Sequence, residues 1–524
     1  MDFEETQPLS EQSLKTMVNF ITTGYWEYAG KLKSISHDPQ ERKDTNYIDG
    51  QPREEKDFTY QLNGFSQERE ERVEAALQLW EDVVDIRFTK IGNDVGSDRQ
   101  PNIKFRGDSD PHSQNAGWAD GFAWGAATVD VPDNSSDFDE HRARLWMSDD
   151  ELRATYGFGD EEIKEVRKLD EKTIDIVAET LDFTAIVHEI GHALGLGHPG
   201  YYNGRMGAET GSVFEHDKSH IAIMSYVHLL QEDLTQLVPV TPQMADIQAI
   251  QTLYGAAETR TGNTIYGFGI NADDFPNTDK IYDLSKYGNL VSFTIYDSGG
   301  VDVLDVSGFN DDQFIDLRGG AFSNVGGKKA NIGIYMDTVI EYAKGGGGDD
   351  QIVGNDGSNA LYGNDGSDAL YGRGSGDTLF GDGSVWSFVG GNDTLDGGGG
   401  NDLLYGMAGG DELIGGDGDD RLLGFIGDDV LEGGAGADRF IFELHQNSPV
   451  SCWGNDVIKD FKDGDDTIVF AGSAAPTSID ELEIDPWSEG GARITYDGNS
   501  IALKGYYATP DSSDFVFENA TGIA

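Results

Sequence analysis

The sequence predicts an α+β domain over residues 21–254, followed by an all-β domain over residues 255–524. Two observations support this prediction. Residues 183–200, FTAIVHEIGHALGLGHPG, place two histidines four residues apart in a helical pattern, the spacing of a metal-binding helix. Residues 345–441 repeat a nine-residue unit rich in glycine and aspartate, which is typical of stacked short strands. Because the two patterns lie in different halves of the chain, they indicate two domains in that order.

The helical stretch offers three candidate metal ligands. His188 and His192 project from one face of a helix because 3.6 residues complete a turn. Gly195 and Gly197 free the backbone to turn, so that His198 can supply a third nitrogen. Three neutral imidazoles suit one catalytic zinc ion and leave a position open for water.

The same stretch carries a candidate general base, Glu189, directly after the first histidine. A carboxylate there can take a proton from metal-bound water and pass it to a leaving amine. A helix can hold two histidines and a glutamate by chance, but chance does not explain the full HExxHxxGxxH spacing. Asp182 or Thr184 is the expected cap at the start of the helix.

These motifs resemble the metzincin zinc proteases and, more narrowly, the serralysins, which are secreted bacterial endopeptidases. The narrower resemblance comes from HPGYYN at 198–203 and IMSY at 223–226. It implies that Met224 packs beneath the zinc site, and that the Tyr226 hydroxyl can leave the metal and stabilise the oxyanion. It also implies protein or peptide substrates and a short N-terminal propeptide, expected within residues 1–20.

The amino-acid composition limits the classes of partner that the protein can bind. The chain has 37 basic and 95 acidic residues, a net charge of −58, which excludes a nucleic-acid or anionic-membrane binder and favours calcium. Cys452 is the only cysteine, so no internal disulfide can form. No apolar run is long enough to span a membrane, and residues 1–16 do not resemble an N-terminal signal peptide.

Other segments predict the frame of the first domain. A helix is expected at 65–82, with Val73, Leu77, Trp80 and Val84 on its apolar face, followed by strands near 86–88 and 103–105. Residues 117–131 resemble the serralysin segment that borders the cleft and pairs with substrate, although a plain sheet edge is an equal alternative. Residues 148–179 are charged, helical in pattern and longer than the family pattern, which indicates either a surface insertion or a solvated helix. A helix over 242–254 closes the domain.

The segment after this domain resembles a calcium-binding serralysin junction. The resemblance implies one calcium between backbone oxygens of Arg260, Gly262 and Thr264 and an opposing group formed by Asp297, Gly299, Gly300, Asp302 and Asp305. Glu341 matches a further family ligand. Val339 stands where the family has a threonine, so one calcium site is expected to be altered.

The repeat follows the template GGxGxDxUx, in which U is a large apolar residue. The apolar positions are Ile352, Leu361, Leu370, Leu379, Leu395, Leu404, Leu413, Leu422, Leu431 and Phe440. Each coil therefore buries one side chain, while its glycine turn presents carbonyls and a carboxylate to a hard cation. This pattern indicates the parallel β-roll of the repeats-in-toxin class, stabilised by several calcium ions. A disordered glycine- and aspartate-rich linker would not show the apolar period.

The candidate calcium ligands of the roll are the template glycines and the acidic or amide positions. They are Gly346, Gly348, Asp350, Gly357, Asn359, Gly366, Asp368, Asp377, Asp393, Gly398, Gly400, Asp402, Gly409, Asp411, Gly416, Gly418, Asp420, Gly427, Asp429, Gly434, Gly436 and Asp438. Asn359 replaces an aspartate, and Arg373 and Ser375 replace glycines, so weaker or missing sites are expected near those turns.

The remaining C-terminal residues, 442–524, resemble the closing β-sandwich of the family. DFVF at 514–517 resembles the signal read by type I secretion, which implies an extracellular location and the type I secretion machinery as a partner. A protein inhibitor is a further expected partner, and the protein is expected to be a monomer.

The sequence therefore predicts a secreted, calcium-stabilised zinc endopeptidase. The alternative from another class is a calcium-dependent extracellular binding or matrix protein with an inactive protease domain, which the intact Glu189 and His198 argue against. A repeat-bearing lipase would need a GxSxG nucleophile motif, and the sequence has none.

Overall fold

The structure is a computed structural model that describes residues 8–24, 56–63, 65, 67–92, 103–106, 127–130, 171–200, 214, 218–225, 238–270, 281–383, 390–444 and 453–518. Within these ranges, no helix has both the length and the apolar character needed to cross a membrane.

The first domain combines helices with one parallel sheet. Its helices are Glu11–Asn19 (α1), Gln67–Val83 (α2), Glu171–Ala193 (α3) and Met244–Tyr254 (α4). Its strands are Asp57–Asn63 (β1), Arg87–Lys90 (β2), Ile103–Arg106 (β3) and Ala127–Asp130 (β4), in the order β2-β1-β3-β4. The helix expected at 65–82 and the strands expected near 86–88 and 103–105 are therefore present as α2, β2 and β3. Strand β4 lies at the sheet edge. The rest of the expected substrate-pairing segment, 117–126 and residue 131, falls outside the described residues.

The predicted apolar face of α2 is buried. Val73, Trp80 and Val84 are fully buried, and Leu77 is 2% exposed. The indole Nε1 of Trp80 donates a hydrogen bond to the backbone oxygen of Val187, 3.1 Å away on α3. Helix α2 therefore packs directly against the helix that carries the candidate metal ligands.

Helix α3 begins earlier than the sequence analysis expected. It starts at Glu171, so Asp182 and Thr184 lie inside the helix and neither caps its start, which makes that prediction wrong. The Thr184 hydroxyl contacts two backbone oxygens instead, those of Thr180 at 2.9 Å and Pro239 at 2.6 Å. The charged segment expected to be helical runs into the metal-binding helix over 171–179; residues 148–170 are outside the described ranges.

Helix α1 is part of the packed core. Leu14, Met17, Val18 and Ile21, spaced as one helical face, are at most 5% exposed, and the Ser10 side chain caps the helix start. The segment contacts both domains: Leu9 N donates to Gly320 O at 2.8 Å, and Ile21 O accepts from Gly197 N at 2.8 Å. The boundary of the expected propeptide remains a prediction.

A small sheet joins the two domains. It contains Val238–Pro239 (β5), Val291–Ile295 (β7), Phe322–Ser323 (β10) and Ile332–Ile334 (β11), in the order β10-β11-β7-β5. A short helix, Leu284–Tyr287 (α5), precedes β7. Because β5 pairs in parallel with β7, a strand that precedes α4 of the first domain is hydrogen-bonded to a strand of the second.

In its described residues, the second domain consists mainly of two ten-stranded sheets. The first contains, in spatial order, Phe515–Glu518 (β28), Thr467–Ala471 (β24), Arg439–Glu443 (β22), Arg421–Ile426 (β20), Leu403–Ala408 (β18), Thr378–Phe380 (β16), Ala360–Tyr362 (β14), Tyr342–Lys344 (β12), Val303–Asp305 (β8) and Ile265–Gly267 (β6). The second contains Glu483–Pro486 (β25), Gly491–Tyr496 (β26), Asn499–Lys504 (β27), Asn455–Ile458 (β23), Val430–Ala435 (β21), Glu412–Asp417 (β19), Thr394–Gly399 (β17), Ala369–Gly374 (β15), Gln351–Val353 (β13) and Phe314–Asp316 (β9).

Successive repeats alternate between the two sheets, so each strand pairs in parallel with the strand two repeats away. Leu395 aligns with Leu413, and Leu413 aligns with Leu431. All three side chains are fully buried between the sheets. The parallel β-roll expected from the nine-residue period is confirmed, and its core is the row of apolar residues from each coil.

The segment after the repeats extends the same sheets. Strands β23 and β27 continue one sheet, and β24 and β28 continue the other, all in parallel pairing. Strands β25, β26 and β27 then pair in antiparallel fashion and end the second sheet. The roll is therefore closed at its C-terminal end by strands without the repeat motif.

Candidate metal centre

The three predicted histidines converge. The Nε2 atom of His198 lies 3.2 Å from that of His188 and 3.1 Å from that of His192. His188 and His192 lie one turn apart on α3, and the backbone turns at Gly195, whose φ is 105°, to bring His198 back towards them. His188 and His198 are buried, and His192 is partly exposed.

Backbone oxygens orient two of the rings. The Nδ1 atom of His188 lies 2.9 Å from Ile223 O, and that of His192 lies 2.9 Å from Leu196 O. Since a carbonyl only accepts, each Nδ1 carries the proton and each Nε2 presents its lone pair to the centre of the cluster. Burial lowers the pKa of His188 to about 3 and that of His192 to about 4, and the neighbouring His192 also lowers the pKa of His188. Both rings are therefore neutral at physiological pH.

This arrangement fits a tetrahedral zinc ion. Nitrogen ligands at the usual zinc distance of about 2.0–2.1 Å are separated from one another by roughly 3.3 Å. The observed separations of 3.1 and 3.2 Å match that value. Three nitrogens leave the fourth position for water or substrate.

Glu189 and Met224 flank the cluster. Glu189 is next to His188 on α3 and only 4% exposed. Met224 is fully buried beneath the helix, where its sulfur lies 2.6 Å from the position that a Cβ on Gly191 would occupy. A glycine between the two helix ligands therefore lets the methionine approach. Tyr226, the expected oxyanion-stabilising residue, lies outside the described residues.

Asp246, which the sequence analysis did not single out, fixes the loop that carries Met224. Its carboxylate accepts hydrogen bonds from the backbone N–H groups of Ile223 at 2.5 Å, Gln243 at 2.9 Å and Met224 at 3.4 Å. Burial raises the pKa of Asp246 to about 7, and the three donors act in the opposite direction. Because Ile223 also orients His188, Asp246 supports the metal cluster through the backbone.

The residues of the predicted junction site also meet. Asp302 accepts from Thr264 N at 2.7 Å, and Asp302 N donates to Glu341 at 2.7 Å. A Cβ on Gly300 would lie 2.5 Å from Gly262 O, so glycine is required for this close approach. The carboxylate of Asp297 accepts from Gly299 N at 2.9 Å.

Two residues near this site depart from the expected pattern. Asp305 accepts from Lys344, 3.0 Å away, so a cation of the chain itself already contacts its carboxylate. Val339 is 52% exposed, whereas the adjacent Thr338 is buried and its hydroxyl bonds to the backbone of Asp297. The altered calcium site expected from Val339 stays a prediction.

The roll carries two rows of buried carboxyl or amide groups. In each row, a backbone N–H donates to the Oδ1 atom of the equivalent residue one full coil later, at 2.7–3.1 Å. One row contains Asp350, Asp368, Asp393, Asp411, Asp429 and Asp456, and the other contains Asn359, Asp377, Asp402, Asp420, Asp438 and Asp466. Each row extends past the repeats, to Asp456 and Asp466, which the sequence analysis did not name.

The second carboxylate oxygens of these rows suit a hard cation. Within the described part of the chain, the Oδ2 atoms of Asp368, Asp377, Asp393, Asp402, Asp411, Asp420, Asp429 and Asp438 are buried without a hydrogen-bond partner. Burial, together with neighbouring carboxylates, raises the pKa of Asp368 to about 9 and that of Asp411 to about 8. Asn359 differs, because its amide nitrogen donates to Glu341 O at 3.1 Å. Calcium prefers oxygen ligands, and a bound calcium ion would supply positive charge to these buried carboxylates.

Comparison with known families agrees with both domains. The family model described as Matrixin matches residues 53–208, and the one described as Peptidase M10 serralysin C terminal matches residues 255–498. The first match includes the zinc-binding motif, and the second includes most of the roll. The two matches support a metzincin domain of the serralysin type followed by a serralysin C-terminal domain. The chain therefore combines this metzincin-type domain with a parallel β-roll.

Curated relatives include proteins named serralysin and a metalloprotease. The serralysin of Proteus mirabilis is 33% identical over 304 residues, which cover 56% of this chain and 55% of that protein. Serralysin B of Dickeya chrysanthemi is 41% identical over 176 residues, which cover 32% of this chain and 35% of that protein. Metalloprotease AprA of Pseudomonas entomophila (strain L48) is 40% identical over 183 residues, which cover 32% of this chain and 36% of that protein. The chain thus spans about half the length of the first relative and about a third of the other two.

Proposed function

We propose that this chain is a zinc-dependent endopeptidase that is secreted and hydrolyses peptide bonds of extracellular proteins, with calcium stabilising its roll. The observation that carries the proposal is the convergence of three imidazole Nε2 atoms beside the buried Glu189. The family-model matches and the names of the relatives support it.

The residues divide the chemistry among them. His188, His192 and His198 would hold zinc, which supplies a Lewis acid for the scissile carbonyl and lowers the pKa of a bound water. Glu189 takes a proton from the attacking water and delivers it to the leaving amine. The Tyr226 hydroxyl is proposed, from the family resemblance, to donate a hydrogen bond to the developing oxyanion.

Calcium is proposed at the junction and in the roll. The unpaired Oδ2 atoms of the repeat aspartates, buried in two rows, are the observation that supports this assignment. The extension of both rows to Asp456 and Asp466 adds two candidate ligands to those expected from the repeat. Bound cations would remove the repulsion between stacked carboxylates, so calcium binding and folding of the roll are expected to be coupled.

Further partners follow from the family resemblance. The type I secretion machinery is proposed to read the segment 514–517, whose strand β28 lies at a sheet edge. A protein inhibitor and a monomeric state are proposed on the same ground.

The test is hydrolysis of unfolded casein by the full chain in millimolar calcium, before and after zinc is removed with a chelator and restored. We expect activity to disappear and return with zinc. Glu189→Gln should bind zinc and lose turnover, whereas His192→Ala should lose zinc itself. Zinc bound at one per chain without hydrolysis, in the intact chain and after N-terminal trimming, would favour the alternative of a calcium-dependent binding protein.

A further inference from the structure

A buried ion pair joins the two domains beside the predicted junction calcium site. A guanidinium nitrogen of Arg260 lies 2.5 Å from the carboxylate of Asp82, and the two side chains are 1% and 3% exposed. Arg260 also donates to Tyr296 O at 3.3 Å, and Gln78 donates to the other oxygen of Asp82 at 3.0 Å. The guanidinium carbon of Arg260 lies 5.3 Å from the ring centre of Tyr282. A buried charge held by this many partners has one preferred position.

On the catalytic side, the pair is anchored two residues from the contact with the metal-binding helix. Asp82 is in the last turn of α2, and Trp80 precedes it by two positions. Trp80 donates to Val187 O and lies 3.1 Å from where a Cβ on Gly191 would be. Val187 directly precedes His188, and Gly191 directly precedes His192. A displacement of this end of α2 therefore acts on the two helix ligands.

On the junction side, the pair is anchored in the predicted calcium loop. Arg260 adopts φ = 47°, a left-handed conformation that a non-glycine residue keeps only when its surroundings hold it. The loop that follows is tied to Asp302 through Thr264 N, and Tyr266 donates to Asp297 at 2.7 Å. The carboxylates of Asp297, Asp302 and Glu341 meet there, so a cation between them would hold the loop closed.

We propose that Arg260 and Asp82 couple cation binding at the junction to the hold on the zinc ligands. The occupied loop fixes Arg260, Arg260 holds Asp82, and Asp82 keeps the Trp80 end of α2 against the metal-binding helix. Both are positioning residues that act through α2, and the inference rests on the proposed zinc and calcium sites. Linkage is reciprocal, so zinc should strengthen calcium binding at the junction by the same factor.

A chain of contacts does not by itself establish coupling, so the test measures it. The zinc dissociation constant of the full chain is determined by competition with a chromogenic chelator, at saturating and at limiting calcium. We expect calcium to tighten zinc binding by about fivefold or more. The paired substitution Asp82→Leu with Arg260→Met removes both charges at similar volume, which a fold often tolerates. In that variant, the calcium effect on zinc binding should disappear.

Two further variants separate coupling from stability. Asp316→Leu with Arg318→Met removes a partly buried ion pair inside the second domain, with a nitrogen–oxygen distance of 2.6 Å, and should keep the calcium effect. Trp80→Phe breaks the contact at the other end of α2 and should weaken the effect even if the paired variant does not fold. Circular dichroism during a calcium titration reports whether the roll folds normally in each variant.

The outcomes are distinct. A paired Asp82 and Arg260 variant that folds and keeps the full calcium effect overturns the inference, as does a wild-type protein whose zinc affinity is independent of calcium. A wild-type protein that binds no zinc overturns the proposed function instead. Loss of the effect in both ion-pair variants would attribute it to general stability and also overturn the inference.

Discussion

Replacement of Gly427 by alanine should destabilise the roll far more than the same change at Gly399. Gly427 lies in the turn before Asp429 and adopts φ = 148°, a conformation open almost only to glycine. A Cβ there would lie 1.4 Å from the backbone oxygen of Gly409, the equivalent residue one full coil earlier. At Gly399, in β17, the nearest atom to a new Cβ is Arg373 O at 3.7 Å, an ordinary contact.

The magnitudes follow from these contacts. A disfavoured backbone conformation costs about 1–3 kcal/mol. Overpacking against neighbouring atoms costs about 1–3 kcal/mol more. Gly427→Ala should therefore lower the free energy of unfolding by about 2–6 kcal/mol. Gly399→Ala meets no obstacle and reduces the freedom of the unfolded chain, so it should raise the free energy of unfolding by up to about 1 kcal/mol.

The measurement is urea unfolding of the full chain at saturating calcium, followed by far-ultraviolet circular dichroism. Gly427→Ala should shift the midpoint of the roll transition to lower urea, and Gly399→Ala should leave it unchanged or raise it. If the two variants unfold at the same urea concentration, the close approach of successive coils does not limit the size of the residue at Gly427, and the reasoning is refuted.

Three other predictions concern the roll and α1. Leu413→Ala should lower the free energy of unfolding by about 2–5 kcal/mol, because loss of the fully buried side chain leaves a cavity between Leu395 and Leu431. If urea unfolding shows a decrease in this free energy below that range, the neighbouring coils have collapsed into the cavity. Without calcium, the roll should be more stable at pH 5 than at pH 8. Burial raises the pKa of Asp368 from 3.8 to about 9, so the folded roll favours the protonated carboxyl. The contribution of this group to the free energy of unfolding is therefore complete below about pH 4 and is lost as the pH rises towards 9. Circular dichroism of the calcium-free protein checks this, and a signal that grows with pH would contradict it. Removal of residues 1–24 should weaken zinc binding in the chelator assay, whereas removal of residues 1–7 should not. Only the longer deletion takes away the backbone oxygen that is bonded to Gly197. Equal zinc affinities of the two deletion variants would show that the segment of α1 does not support the metal cluster.

The sequence predicted what local spacing determines. His188, His192 and His198 were found because a helical period and a glycine turn bring them together. The roll was found because its apolar residues repeat every nine positions. The alternation of coils between two sheets follows from the same repeat, but the pairing of residues 18 apart was not deduced. Asp456 and Asp466 lie 27 and 28 residues after their partners Asp429 and Asp438, so an 18-residue spacing would not have identified them.

Contacts between distant parts of the chain were not predictable in this way. Asp82 and Arg260 are 178 residues apart, and nothing in either local sequence indicates the other. Asp246 looks like an ordinary acidic residue at a helix start, and only the fold brings the loop of Met224 onto it. Helix α1 is an exception, because the spacing of Leu14, Met17, Val18 and Ile21 is that of one helical face and is visible in the local sequence.

The closing strands have a consequence for how the protein behaves among its own copies. A stack of parallel coils can be extended by further strands, because its last strand has unpaired backbone N–H and C=O groups that can pair with any similar strand. Here the outermost strand, β25, runs antiparallel to its neighbour and exposes Glu483, Asp485 and Pro486. Two acidic groups repel a second edge of the same kind, and the proline has no N–H to share with it. At this edge, the length of the stack is thus fixed within one molecule, and copies of the chain are discouraged from joining end to end into a fibre.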